Sequence, residues 1–248
     1  MEEEKGIRRQ KIDNHLYAVS HPGGRDQNED DFLAMVADGG WIIAVADGLG
    51  GHRAGEIASR CAIRTLTGTF SHDTGTGIDT RLRDAFRDAH EVIRNHARGE
   101  WLGMGTTLVA VHIGGSVATI ANTGDSRAYV IRNGVMYRTR DHSVVRDLID
   151  SGVITDEEAR GHPMRNLLTA ALGIDFRIDV DTITLEEGDM ILLATDGFYD
   201  FISEEQMVQM LRHIPFPDNV EALLREVLPV TTDNVTLVLF QFPQRREM

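Results

Sequence analysis

The chain has one cysteine, Cys61, among 248 residues. That excludes an internal disulfide and a zinc cage built from thiolates. Its place in the run CAIRTL, Cys61–Leu66, predicts a buried packing role. Long apolar runs are missing too: no stretch approaches the ~18 residues that a membrane span needs. The opening residues, MEEEKGIRRQK, are charged with no apolar segment behind them, so no targeting segment is read and the cytoplasm is the expected compartment. Positive charge is scarce, with 25 Lys and Arg facing 39 Asp and Glu, a net charge of −14. Such a surface repels phosphate backbones and anionic lipid, which argues against nucleic acid and membranes as partners. It suits a protein that gathers carboxylates around cations. The ten histidines are scattered without an HxxxH pair, so no histidine ligand set is expected. Linkers, repeats and low-complexity tracts are absent, which predicts one domain over residues 1–248.

Apolar alternation predicts strands at His15–Ser20, Asp31–Ala37 and Trp41–Asp47, with Asp38-Gly39-Gly40 as a hairpin turn. Helices follow at Ala54–Phe70 and Ile78–Arg98, joined by the loop Ser71–Gly77. In the second helix Ile78, Leu82, Phe86, Ala89, Ile93 and Ala97 recur at three- and four-residue spacing. Strands return at Thr107–Ile113, Ser116–Asn122 and Arg127–Gly134, continued by Met136–Arg140. A mostly helical insertion spans Ser143–Gly173, and Thr155 with Glu158 forms a capping box inside it. Strands Ile178–Leu185 and Asp189–Thr195 precede helices Ser203–Ile214 and Asn219–Leu228, and Val235–Phe242 closes the chain as a strand. Strands joined by tight turns pair antiparallel, and the helices between such meanders must cover sheet faces. The expected class is therefore α+β, a four-layer α-β-β-α sandwich of two antiparallel sheets.

Acids recur at the ends of these strands. Asp47 closes WIIAVA before Gly48, and Asp196 closes MILLAT before Gly197. Asp233 and Asn234 lead into the last strand, Asp125 sits in a Gly-Asp turn, and Glu29 with Asp30 opens DFLAMVA. For any single one, turn chemistry suffices, because Asp-Gly commonly ends strands. The repeat of Asp-Gly after two near-wholly apolar strands weakens that reading. Such strands are buried on both faces, so a terminal carboxylate faces a cleft and requires a cation. Carboxylates without thiolate or paired imidazole select Mg²⁺ or Mn²⁺. Arg25, four residues before Glu29, reads either as a forked phosphate clamp or as a surface arginine in its Gly-Gly-Arg turn.

Eight segments in order then become recognisable: RDQNEDD at Arg25–Asp31, VADGLGGHRAGEIAS at Val45–Ser59, GMGTTL at Gly103–Leu108 and NTGDSRAYV at Asn122–Val130. RDHSVV at Arg140–Val145, NLLTAALG at Asn166–Gly173, LLATDGFYDFIS at Leu192–Ser203 and TDNVTLVL at Thr232–Leu239 complete them. In this series the chain resembles the metal-dependent protein phosphatases of the protein phosphatase 2C (PPM) family, in their bacterial serine/threonine form. Eight motifs in order are highly specific where any one is weak.

The resemblance implies an α-β-β-α sandwich and a Mg²⁺- or Mn²⁺-dependent protein serine/threonine phosphatase. Two ions, with a third weaker site, are implied. Asp47 would bridge two metals, with the Gly48 carbonyl as a further ligand and Asp196 and Asp233 completing the set. Asp125 with Asp196 would form the weaker site. Glu29 at the metal site and Asp30 as a catalytic helper would hold metal-associated waters, and Arg25 would grip the substrate phosphate. A metal-bridging water would attack phosphorus in line, releasing serine or threonine. Segment Ser143–Gly173 would be a flap beside the cleft. The implied partners are phosphoserine and phosphothreonine proteins, substrates of a cognate Ser/Thr kinase, and a monomer is the default expectation. Leu49 stands where animal members carry a histidine, and His52 is read as a turn-to-helix residue with no catalytic role. Two rivals are a relative that binds phosphoproteins without turnover and a two-metal hydrolase of nucleic acid or nucleotides. The filled acid positions oppose the first, and the net charge with no Lys/Arg cluster opposes the second.

Overall fold

The computed structural model describes residues 2–4, 6–37, 39–50, 53–72 and 75–243. Asp38 of the predicted hairpin turn, His52, and part of the predicted loop Ser71–Gly77 lie outside these. The chain begins with strands β1 (Glu2–Glu4), β2 (Ile7–Lys11), β3 (Leu16–His21), β4 (Asp31–Ala37), β5 (Gly40–Ala46) and β6 (Gly48–Leu49). Helices α1 (Arg53–Phe70) and α2 (Ile78–His96) follow, then β7 (Gly105–Thr106), β8 (Leu108–Gly114), β9 (Val117–Thr123), β10 (Arg127–Ile131) and β11 (Val135–Arg138). Short helices α3 (Val144–Asp150) and α4 (Asp156–Arg160) lead to β12 (Asp179–Thr184) and β13 (Met190–Ala194). Helices α5 (Asp196–Tyr199), α6 (Glu204–His213) and α7 (Asp218–Val227) precede the last strand, β14 (Val235–Gln241).

One sheet runs β1-β2-β3-β14-β13-β10-β11 and the other β12-β9-β8-β5-β4, with β6-β7 as a small separate ladder. All pairs are antiparallel. The central strands are apolar throughout because each feeds two cores. In β5, Ile43 and Val45 face the space between the sheets, while Ile42, Ala44 and Ala46 face α1 and α2. In β14, Val238 and Phe240 face inward, while Val235, Leu237 and Leu239 pack beneath α6 and α7. Successive side chains of a strand point to opposite faces, so burial on both sides abolishes the polar alternation. The helices supply the matching stripes: Ala58, Ala62, Leu66 and Phe70 from α1, and Leu82, Phe86, Ala89 and Ile93 from α2. The result is the α-β-β-α sandwich that the sequence predicts.

Four details depart from the sequence reading. The charged start forms a β1–β2 hairpin, with Glu2 opposite Arg9 and Glu3 opposite Arg8. The two arginines of β2 have distant partners: Arg8 pairs with Asp31, and Arg9 Nε donates to Glu221 at 3.1 Å. Cys61 is half-buried against the α1–α2 core rather than fully enclosed. Helix α2 stops at His96, two residues early, where Ala97 leaves helical geometry. Segment 143–173 is helical only in α3 and α4; its second half is turns and isolated bridges, although the Thr155–Glu158 capping box forms as read.

Phe240 has no exposed surface and lies between the sheets, 4.9 Å from the Trp41 ring. Phe240→Ala is expected to lower unfolding free energy by about 3–5 kcal/mol. Urea denaturation checks this, and a loss well under 1 kcal/mol would contradict the inter-sheet core.

Candidate metal centre

The acids converge because the strands that carry them end together. Asp47 follows β5 and is pinned through its backbone. Its N–H donates to Thr107 Oγ1 at 2.9 Å, and its carbonyl accepts from Thr107 N–H at 2.9 Å and Thr106 Oγ1 at 2.8 Å. Next to it Gly48 has no room for a side chain: a Cβ there would lie 2.2 Å from the Gly55 carbonyl and 2.7 Å from that of Glu29. Three backbones therefore meet where only glycine permits it. Asp196 opens α5 just past β13, and Thr195 before it links three segments. Thr195 Oγ1 donates to Asp30 Oδ2 at 2.9 Å and accepts from Thr236 N–H at 3.0 Å.

Asp233 and Asn234 lie just before β14. Buried Asn234 holds the 22–29 loop in place: its Nδ2 donates to the carbonyls of Pro22 at 2.9 Å and Gln27 at 2.8 Å, and its Oδ1 accepts from Glu29 N–H at 2.9 Å. Arg25 forms the predicted turn, its N–H on the Pro22 carbonyl at 3.0 Å. Its guanidinium also reaches the acids, with Nη2 donating to Asp233 Oδ2 at 2.8 Å and Nε to the Thr232 carbonyl at 3.1 Å. The two sequence readings of Arg25 thus describe one residue: a turn arginine, 58% exposed, whose fork lies at the rim of the carboxylates.

Asp125 is held from the opposite side. Gly124 accepts from His142 N–H at 2.8 Å, and the Tyr199 hydroxyl donates to the Asp125 carbonyl at 3.1 Å. Arg127 lies 3.7 Å over the Tyr199 ring and chelates Asp141, with contacts of 2.9 and 2.6 Å. Glu29 differs from the rest. A Cβ on Gly55 would fall 2.2 Å from Glu29 Oε2, so its carboxylate lies against the first turn of α1.

The electrostatics reveal the cost of this gathering. Burial pushes the Asp47 carboxyl well above the usual carboxylate range, and repulsion from Asp30, Asp196, Asp125 and Asp233 adds to it. Asp125 is raised by burial, then by Asp196 and Asp141. Burial also lifts Asp30 to about 8, against hydrogen bonds from Thr236 and Thr195. Asp196 rises to about 6 through burial and the charges of Asp233 and Asp200. Asp30 Oδ1 is buried without a partner. An oxygen-only donor set, mutual repulsion and an orphaned carboxylate oxygen together fit hard divalent cations. Among the described residues no three His, Cys, Asp or Glu side chains form a ready-made cage. Asp233, for one, gives Oδ2 to Arg25 and Oδ1 to Asn234 N–H.

Five predicted acids, Asp30, Asp47, Asp125, Asp196 and Asp233, are thus within electrostatic reach of one another, with Gly48 beside them. Sequence reasoning missed the polar residues that orient them: buried Thr107 and Thr195, partly buried Tyr199 and the bridging role of Asn234. Only Asn234 carries a sequence signal, the Asp-Asn pair before an apolar strand.

The sequence pattern of the family described as Protein phosphatase 2C matches residues 19–228. A serine/threonine phosphatase named stp from Listeria monocytogenes is 39% identical over 180 residues, 69% of this chain and 71% of that protein. Protein phosphatase PhpP of Streptococcus pneumoniae is 35% identical over 229 residues, 88% and 93% of the two chains. Among solved structures, the catalytic domain of the serine threonine protein phosphatase PstP in complex with two manganese ions superposes with a TM-score of 0.81. It is 31% identical, over 95% of this chain and 98% of that one.

A carboxyl whose pKa rises on folding holds its proton more tightly in the folded state. Its stabilisation is full below the unfolded value of about 3.9 and is lost as pH climbs through the folded value. Stability of the metal-free protein is therefore expected to decline as pH rises from about 4, with the loss complete by about 6 for Asp196 and about 8 for Asp30. Thermal melts in EDTA at pH 5 and pH 8, which span most of the interval between the unfolded and folded values of Asp30, are the check. The midpoint should fall with pH, the fall should flatten in Asp30→Asn, and added Mn²⁺ should raise the midpoint more at the higher pH. A midpoint that climbs with pH in EDTA contradicts the account.

Proposed function

The chain belongs to the protein phosphatase 2C family and is a serine/threonine protein phosphatase, and from that premise we propose that it hydrolyses phosphoserine and phosphothreonine in proteins with Mg²⁺ or Mn²⁺. The observation that carries the reading is the convergence of five carboxylates, four of them (Asp30, Asp47, Asp125 and Asp196) raised by burial and by neighbouring carboxylates, beside an exposed arginine fork. Asp47, the Gly48 carbonyl, Asp196 and Asp233 are the residues to hold two ions, and Asp125 with Asp196 a weaker third. Such ions supply an activated water and a positive field on the phosphoryl group.

The chain's own residues do the rest. Arg25 exchanges the Asp233 carboxylate for two substrate phosphate oxygens, which its planar fork matches. Asp30, anchored through Oδ2 to Thr195, keeps Oδ1 free to order water beneath the phosphate. Glu29, fixed by Asn234 through its backbone, orders water from the α1 side. Water adds to phosphorus in line, the bond to the serine or threonine oxygen breaks, and inorganic phosphate leaves. No covalent phosphoenzyme is invoked, because no cysteine or aspartate nucleophile motif is present. We read residues 1–248 as one phosphatase domain with 143–173 as its flap, a cytoplasmic monomer whose substrates are made by a Ser/Thr kinase.

Phosphate release from a phosphothreonine peptide tests the reading. Turnover should require Mn²⁺ or Mg²⁺ and vanish in EDTA. Removing outer partners of metal ligands costs about 10–100-fold, so Asp196→Ala should cost at least that. Arg25→Ala should raise KM roughly tenfold or more, as loss of a charged hydrogen bond does. A folded wild-type protein inactive with either metal would overturn the proposal.

A further inference from the structure

From Asp125 and Asp196 a cleft of about 1260 Å³ runs outward between the 143–166 segment and the α5–α6 region. Its lining is mixed in charge: Asp200, Glu204 and Glu205 come from the α5–α6 region, and Arg146, Asp156, Arg160 and Arg165 from the 143–166 segment. Arg146 is engaged by Asp150, and Glu204 by Arg138 at 2.8 Å. Arg160 and Arg165 are exposed and have no hydrogen-bonding or ion-pair partner for their side chains among the described residues.

Both are nonetheless held on ordered backbone. Arg160 closes α4, whose start is fixed by the Thr155–Glu158 capping box. Arg165 sits in a turn, its N–H on the His162 carbonyl at 3.1 Å. That turn is tied to the body by Val144 N–H on the Leu167 carbonyl and Thr169 N–H on the His142 carbonyl, each at 2.8 Å. The charge of Arg165 reaches Asp200, and that of Asp200 reaches Asp196. Asp200 is already served more strongly by Arg127, so its neutralisation does not explain Arg165. Two arginines without ion-pair partners thus line one cleft in a chain with 39 acids and 25 Lys and Arg.

We propose that Arg160 and Arg165 bind a second anionic group of the substrate, next to the phosphorylated serine or threonine, so that the enzyme favours phosphopeptides with an acidic flank. The inference rests on the phosphatase reading above. The shared chemistry is a compact anion, a carboxylate or a second phosphate, and forked guanidinium groups suit both.

The test compares kcat/KM for phosphothreonine peptides flanked on either side by alanine, glutamate, lysine or a non-hydrolysable phosphonate, with an aryl phosphate as the flank-free reference. Exposed ion pairs are individually weak, so two of them give about a tenfold preference for the anionic flanks. Arg160→Gln with Arg165→Gln should reduce that preference to within about twofold, and Arg160→Glu with Arg165→Glu should turn it toward lysine, with aryl phosphate turnover unchanged in both. The phosphonate and glutamate arms identify which anion is preferred. Aryl phosphate turnover without any flank preference, or a preference that survives the glutamine pair, overturns the arginine assignment alone. A folded wild type inactive on aryl phosphate as well overturns the phosphatase reading and this one with it.

Discussion

Repulsion among Asp30, Asp47, Asp125, Asp196 and Asp233 is the constraint around which the rest of the structure is organised. Asp30, Asp47, Asp125 and Asp196 are drawn into a region where burial disfavours charge, and neighbouring carboxylates make the ionisation of these four harder still. The surroundings relieve little of this. Arg25 offsets Asp233, Thr195 and Thr236 donate toward Asp30, and one oxygen of Asp30 has no partner at all. A chain that folds this way keeps the acids together against their own electrostatics, which is the arrangement a cation-dependent catalyst requires.

What holds them there is backbone rather than side chain. β5, β13 and β14 feed cores on both faces, so their ends cannot shift without disturbing two packed layers. Thr106 and Thr107 lock Asp47, Asn234 locks the 22–29 loop, and the Gly48–Gly55 approach brings β6 onto α1. The rim is built differently. Half of the 143–173 segment is turns joined to the body by a few backbone bonds, a place where side chains can vary without touching the acids.

The same physics decides what could be read from sequence. β5, β13 and β14 were legible because burial on both faces leaves a continuous apolar run, with an Asp-Gly step after β5 and β13 and an Asp-Asn step before β14. The β1–β2 hairpin was not, because its residues are charged and their burial depends on distant partners such as Asp31 and Glu221. Thr107, Thr195 and Tyr199 were invisible for a related reason: a single buried polar residue has no period, and its value comes from one long-range hydrogen bond. Arg25 kept two readings because a turn arginine and a carboxylate-facing arginine share the same local sequence.

Calorimetric titration of Mn²⁺ into the metal-free protein at pH 7, in two buffers of different ionisation enthalpy, tests the central claim most directly. Carboxyls that burial has raised, Asp30 to about 8 and Asp47 well above the usual carboxylate range, must release protons as the cation binds. The account expects release of about one proton or more per protein, reduced in Asp47→Asn. Failure to bind Mn²⁺, or binding with no proton released, would contradict it.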